Sequence, residues 1–199
     1  MLRVLLTRHA QSEWNATGRW QGQADPPLSD LGLEQAALAA RSVGAVDGIV
    51  ASALERARHT AEIIAELVGV GPVISSELLI ERDAGEWSGL TRTEIEAEWP
   101  GYLDSGRRPP GYEGDQQLRE RVLIGLAGVA DHFGRPADVL VVVHAGVIYN
   151  VEALHGEPFE RMPNLGGRWL EFDGGDWHLG PRVELLDPDH LTSQAPEQL

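Results

Sequence analysis

Apolar positions in this chain gather in short blocks, and the blocks alternate with stretches of helical periodicity. Arg3 to Thr7 (RVLLT) is an unbroken apolar run of buried-strand length that stops at Arg8-His9. From Ala10 to Pro27 the chain is polar and rich in Gly and Pro, which predicts a loop. Ser29 is placed to cap a helix through Arg41, with Leu33, Ala36, Ala37 and Ala40 on one face. Gly48 to Ala51 predicts a second strand, and Ala53 to Val68 a helix that turns Ala57, Ala61, Ile64, Ala65 and Val68 inward. A third strand begins over Pro72 to Ile74. Residues 82–115 lose the pattern, apart from a short helix at Thr91 to Glu98, and predict a lid or insertion. A helix follows over Asp115 to Phe133, then the strand Val139 to Val143 (VLVVV) and a helix over Gly146 to Leu154. Arg168 to Phe172 and Trp177 to Gly180 flank Gly174-Gly175 as a hairpin. From Asp187 the tail is polar.

Strands alternating with helices predict an α/β fold, a three-layer sandwich with a mostly parallel central sheet flanked by helices. The 199 residues, 42% of them hydrophobic, suit one domain over 1–199, with 82–115 as its lid and 187–199 as its tail. Composition then narrows the chemistry. The formal charge of −15 argues against a nucleic-acid partner, whose phosphates favour basic surfaces. Every basic residue is Arg; without Lys there is no Schiff base and no P-loop lysine. With no Cys there is no disulfide, thiolate nucleophile or Cys-bound zinc. No secretory signal and no membrane-length apolar segment is visible, so a cytoplasmic protein without a membrane partner is expected. A homodimer is one open oligomeric option.

Two histidines hold equivalent places: His9 follows the strand LRVLLT and His144 follows VLVVV. In open α/β sheets ligands bind beyond the carboxyl ends of the strands, so two distant imidazoles can converge there. Arg8 adds a fixed cation beside His9. Arg56 sits in the first turn of a helix, where a cation opposes the macrodipole unless an anion is near. Together these residues describe a phosphate pocket.

At this point the motifs LTRHAQSEWN, WQGQADPPLSDLGLEQA, SALERARHTAE, ERDAGEWSGL and VVVHAGVI, in this order over about residues 3–150, resemble the histidine phosphatase superfamily, the phosphoglycerate-mutase-like group. The resemblance implies that His9 is the nucleophile and is phosphorylated in an intermediate. It implies that Arg8, Arg56 and His144 hold the phosphoryl oxygens, and that Asn15, Gln21, Gly22 and Ala145 line the pocket with Ser12 beside it. Glu81 matches the carboxylate that protonates the leaving group, and in that role it must carry a proton. The family's usual Gly after the first histidine is Ala10 here, and its Gly-Gly after the second is Ala145-Gly146. No cofactor and no metal is expected: two Arg and a protonated His144 meet the phosphate charge, and no HxH or HExxH spacing occurs. Arg107 and Arg108 are expected to be a solvated turn beside Pro109-Pro110; the other reading is that they reach a second anionic group. Trp14, Trp20, Trp87, Trp99, Tyr102 and Tyr112 are expected to pack the core or lid.

The expected function is metal-independent hydrolysis of a small-molecule phosphomonoester, a phosphorylated metabolite, through phosphohistidine. The alternatives are phosphoglycerate mutase-type phosphoryl transfer, and a non-catalytic phospho-ligand-binding protein on the same fold.

Overall fold

A computed structural model describes residues 1–186; the polar tail, with Asp187 and Asp189, lies outside the described residues. The strands are β1 Leu2–Arg8, β2 Gly48–Ser52, β3 Ile74–Ser76, β4 Ala137–Val143, β5 Gly166–Phe172 and β6 Trp177–Glu184. They form one sheet in the order β3-β2-β4-β1-β5-β6. The first four are mutually parallel; β5 runs antiparallel to β1, and β6 antiparallel to β5. The helices among the described residues are α1 Glu13–Ala16, α2 Asp30–Ala39, α3 Glu55–Val68, α4 Arg92–Glu98, α5 Tyr102–Ser105, α6 Asp115–Phe133 and α7 Ala145–Leu154.

The unbroken apolar runs of β1 and β4 are explained by burial on both faces, as parallel strands require. Leu2, Val4 and Leu6 join Val139, Val141 and Val143 beneath α6 and α7. Leu5, Leu140, Val142, Ile49 and Ala51 face the other way, onto α2 and α3. The sheet is therefore the middle of three layers, as the alternation of elements predicts. Each fully buried Leu or Val contributes about 1.5–3 kcal/mol, so the strands at the centre are held hardest.

The register sets the site. Arg8 pairs with Val143, and the amide of His9 donates to the Val143 carbonyl at 2.9 Å. His9 and His144 thus leave neighbouring parallel strands at the same level.

Residues 82–115 carry a small core of their own. Ala84, Trp87 and Ile95 are buried there with Trp20, Leu90, Trp99, Tyr102, Leu103 and Tyr112 around them. Thr91 caps α4 in a reciprocal box with Glu94. The segment is tied to the residues before it by paired backbone bonds, Trp20 N–H to Leu90 and Gly89 N–H to Trp20. No helix among the described residues is long and apolar enough to cross a membrane.

Several boundaries differ from those expected. The predicted loop at 10–27 contains α1, a single turn too short to show a period. β1 runs on through Arg8, α2 ends at Ala39, and β3 starts only at Ile74. β6 continues past Gly180 to Glu184. Pro181 is tolerated inside it because β6 is an edge strand and needs no outward N–H.

Candidate active site

Because β1 and β4 end together, the imidazoles of His9 and His144 meet with ring centroids 5.2 Å apart. Both are buried. His9 Nδ1 lies 2.6 Å from the Ala10 carbonyl, so this nitrogen carries the proton and Nε2 keeps its lone pair. Arg56 Nε donates to that Nε2 at 3.3 Å. Burial foremost, then the charges of Arg56 and Arg8, holds His9 well below the usual histidine value of 6.5. The result is a neutral imidazole with one committed nitrogen and one nucleophilic nitrogen.

Arg56 is fully buried. Its terminal nitrogens donate to the carbonyls of Ala24 at 2.7 Å and Gly22 at 2.9 Å, leaving the rest of its five N–H groups for a ligand. Burial lowers it to about 10, against the opposing pull of Glu81 and Asp25, so it remains a cation at neutral pH. The cation in the first turn of α3 is therefore held by carbonyls from the preceding loop rather than by solvent. Gly22, at φ +53, lets that loop close: a Cβ there would stand 2.6 Å from the Ala84 amide nitrogen.

Arg8 donates to the Met162 carbonyl at 2.7 Å, and its buried Nε has no partner within the protein. Burial lowers Arg8 from its ordinary value, with Arg161 adding repulsion. His144 approaches Ser52 Oγ through Nε2 at 2.7 Å, while its Nδ1 is buried without a partner. Burial first, then Arg56 and His9, pushes His144 well below 6.5 as well. The protonated His144 expected from sequence is thus corrected: it is neutral here because it is buried among cations, and its contribution is that of a neutral ring. Fully buried, it is not among the residues that line the cleft.

Glu81 faces the same space. Its Oε1 accepts from the Arg82 amide at 2.7 Å and its Oε2 from the Gly146 amide at 3.1 Å. Glycine at position 146 leaves room for that carboxyl, since a Cβ there would lie 2.4 Å from Glu81 Oε1. Ala10 and Ala145 hold ordinary backbone conformations; among the described residues Leu165 is the one non-glycine at positive φ.

His9, Arg8, Arg56 and Glu81 border one cleft of about 480 Å³, with Asn15, Gln21, Gly22 and Ala145 also on its wall. Ser12 is not on that wall. It caps α1, accepting from the Asn15 amide at 3.1 Å, and donates to Gln21 Oε1 at 2.8 Å. Its hydroxyl is spent on these two bonds, so it supports the pocket residues instead of touching a ligand. Trp87 is buried in the small core of the 82–115 segment.

Other wall residues were not singled out by the sequence. Tyr149 of α7 and Phe159 and Arg161 of the segment after it line the cleft, as do Arg19 and Arg82. Arg108 is exposed, as expected, and also lines the cleft, lying over the rings of Trp87 and Tyr112; Arg107, exposed too, lies over Tyr102. Trp20 and Tyr112 serve lid core and cleft wall together. Asn164 holds the loop floor, donating to the His9 carbonyl at 2.8 Å. The segment carrying these residues is pinned to the sheet by Glu152, which is buried with Arg182 at 2.6 Å and Arg168 at 3.2 Å; those arginines also reach Glu160 and Glu157.

The arrangement can receive a tetrahedral dianion. A nucleophilic nitrogen sits among guanidinium groups, orphaned donors face inward, and a carboxyl stands opposite.

The family description "histidine phosphatase superfamily (branch 1)" matches residues 4–181 of the chain. A glucosyl-3-phosphoglycerate phosphatase of Mycolicibacterium vanbaalenii is 35% identical over 190 residues, covering 86% of this chain and 84% of that protein. A probable phosphoglycerate mutase of Salmonella paratyphi B is 40% identical over 217 residues, covering 100% and 99%. Among solved structures, a mycobacterial glucosyl-3-phosphoglycerate phosphatase in complex with VO3 aligns with a TM-score of 0.80 at 30% identity. That alignment covers 90% of this chain and 97% of the other.

Proposed function

The chain belongs to branch 1 of the histidine phosphatase superfamily and is a phosphoric monoester hydrolase; from that premise we propose that it hydrolyses a small phosphorylated metabolite through a phosphohistidine at His9, without a metal. The observation that carries this reading is the committed Nδ1 of His9, whose Nε2 lone pair meets Arg56 Nε at 3.3 Å on the wall of the cleft.

In the first step His9 Nε2 forms a bond to phosphorus as the ester P–O bond breaks. Glu81 gives its proton to the departing oxygen. Arg8 and Arg56 meet the charge on the non-bridging oxygens as planar donors. Ser52 Oγ already accepts from the Leu54 amide at 3.3 Å, which leaves its hydrogen for His144 Nε2 and makes Nδ1–H of His144 a neutral donor. In the second step water attacks phosphorus, the carboxylate of Glu81 takes the water proton, and the N–P bond breaks to restore His9. Asn15, Gln21, Gly22 and Ala145 shape the wall. Arg8, Arg19, Arg56, Arg82, Arg108 and Arg161 against Glu81 and Asp115 make the cleft cationic in a chain of net −15, which concentrates anionic substrate there. We propose that it acts in the cytoplasm, where phosphorylated metabolites are found.

The test is rapid quenching with a ³²P-labelled substrate. Wild type should give an acid-labile, base-stable phosphoenzyme, and His9→Ala should give neither phosphoenzyme nor turnover. Activity should persist in EDTA and be inhibited by vanadate. Label mapping to a serine or aspartate would overturn the assignment. A mutase reading is favoured by one observation, the 40% identity to a probable phosphoglycerate mutase. Isomerisation of phosphoglycerate faster than phosphate release would establish it.

A further inference from the structure

Gln35 of α2, Thr60 of α3 and Asn164, just before β5, are buried polar side chains, and none of them lines the cleft. Each reaches one of the two successive peptide groups that follow the nucleophile. At the His9–Ala10 peptide, Asn164 Nδ2 donates to the His9 carbonyl at 2.8 Å and Thr60 Oγ1 accepts from the Ala10 amide at 3.1 Å. The hydrogen of the Thr60 hydroxyl goes to the Arg56 carbonyl at 2.7 Å, which ties the same peptide to the helix turn that carries Arg56. At the Ala10–Gln11 peptide, Gln35 Oε1 accepts from the Gln11 amide at 3.1 Å, while the Ala10 carbonyl meets His9 Nδ1 at 2.6 Å. Gly32 lets α2 come this near, since a Cβ there would stand 2.0 Å from the Gln11 carbonyl oxygen. Gln35 follows it three residues later, on the same face of the helix.

A trans peptide group is a rigid plane whose C=O and N–H point in opposite directions. Holding the Gln11 N–H therefore aims the Ala10 C=O, and that oxygen is the one that commits His9 Nδ1. The aim matters because neutral imidazole in water prefers the tautomer with its proton on Nε2. In that tautomer no lone pair stands where phosphorus must arrive; the hydrogen bond made by the other nitrogen decides which form is present. Arg56 Nε also favours a lone pair on Nε2, but it contacts the atom that the phosphoryl group takes. The Ala10 carbonyl acts from the far side of the ring and can stay in place through the reaction. We propose that Gln35, Thr60 and Asn164 are positioning residues for the nucleophile: by gripping the two peptides after His9 they aim the Ala10 carbonyl and so hold the imidazole in its Nδ1–H tautomer. The kinetic part of the inference rests on His9 being the nucleophile.

Gln35→Met keeps the side-chain length and removes the acceptor. Thr60→Val keeps the shape and removes the hydroxyl, Thr60→Ser retains the hydroxyl, and Asn164→Leu removes the donor. Long-range ¹H–¹⁵N spectra of protein labelled with ¹⁵N-histidine read the tautomer of His9, whose signals are assigned by their loss in His9→Ala. Wild type should show Nδ1–H alone, and Gln35→Met, Thr60→Val and Asn164→Leu should each admit the Nε2–H form. Rapid-quench phosphorylation by p-nitrophenyl phosphate, counted per active site, should slow about fivefold in each, the factor that one ordinary hydrogen bond is worth. The substrate concentration for half-maximal rate should stay within about twofold, because no contact to substrate is removed. Thr60→Ser should restore both the tautomer and the rate. A wild-type His9 protonated on Nε2 would overturn the proposal. So would variants that keep the wild-type tautomer and per-site rate and lose only Tm, which would leave these bonds as backbone satisfaction alone. Separate variants on three elements keep the test decisive if one of them does not fold. If no phosphohistidine forms in wild type, the nucleophile reading fails, while a changed tautomer in the variants would still uphold the grip.

Discussion

Replacing Gly146 by Ala should separate activity from stability, because the added methyl group collides with a functional atom and with little else. The new Cβ would stand 2.4 Å from Glu81 Oε1 and 3.1 Å from its Cδ, where ordinary contact begins at 3.4 Å. The carboxyl must therefore withdraw by about 1 Å, and a shift of that size at a reacting group costs on the order of 10²-fold. Glu81 is a flexible chain end, so the fold absorbs the movement cheaply. Gly146 lies in the first turn of α7 without a positive φ, and Ala there gains up to about 1 kcal/mol of helix propensity. The variant should thus keep or slightly raise its Tm while kcat on an alkyl phosphate falls about 100-fold. Steady-state kinetics and scanning calorimetry on the same preparation test this. In a Glu81→Gln background the same substitution should cost little more, since the group it displaces is already disabled. Full activity in Gly146→Ala would refute the role given to the Glu81 carboxyl. A Tm drop of several degrees with a proportional loss of activity would refute the steric account.

Glu81→Gln itself should slow alkyl phosphates by about 10²–10⁴-fold and p-nitrophenyl phosphate much less, because nitrophenolate departs without a proton; equal slowing of the phosphorylation step for both would remove Glu81 as the acid. His9 and His144 are held well below 6.5, so in the acid range the unfolded chain binds protons that the folded chain refuses. Their stability contribution is complete above about pH 6.5 and declines below it by up to about 1.4 kcal/mol per pH unit per histidine, until the folded-state values are reached. Urea midpoints at pH 7 and pH 5.5 should differ accordingly, and identical midpoints in wild type and His9→Ala/His144→Ala at both pH values would contradict this. Glu152→Gln should destabilise the protein by about 3 kcal/mol, because Arg168 and Arg182 lose a buried counter-charge; proteolysis should then open the 155–165 segment first, and an unchanged Tm would show the network to be dispensable.

The centre of the site was legible because strands buried on both faces have a plain signature. RVLLT and VLVVV end at histidines, and parallel pairing brings those ends together. Arg56 was legible as a misplaced cation. The far wall was not. Phe159, Arg161 and Asn164 lie in an aperiodic stretch broken by Pro158 and Pro163, and what locates them is the Glu152 ion pairs, a tertiary contact no local pattern announces. Ser12 stands beside the pocket, but its capping role was not legible, because a capping serine and a ligand-binding serine look alike in sequence. The charge state of His144 depends on burial among arginines from other elements, which spacing along the chain does not reveal.

The position of β1 inside the sheet has a consequence for the time at which the enzyme comes into being. Its partners are β4 and β5, and its first contact with β4 joins residues 135 positions apart. At a synthesis rate of about 5–20 residues per second, the strand that ends in the nucleophile waits on the order of ten seconds for a neighbour. Throughout that interval LRVLLT is an apolar segment with both edges open, which makes it the part of the nascent chain most in need of shielding by a chaperone. His9 is then an ordinary imidazole, since Arg56, the Val143 carbonyl and Asn164 have yet to gather around it. Catalytic competence therefore arrives late and in one step, after β5 closes on β1. In refolding, recovered activity should track the slowest structural phase rather than precede it.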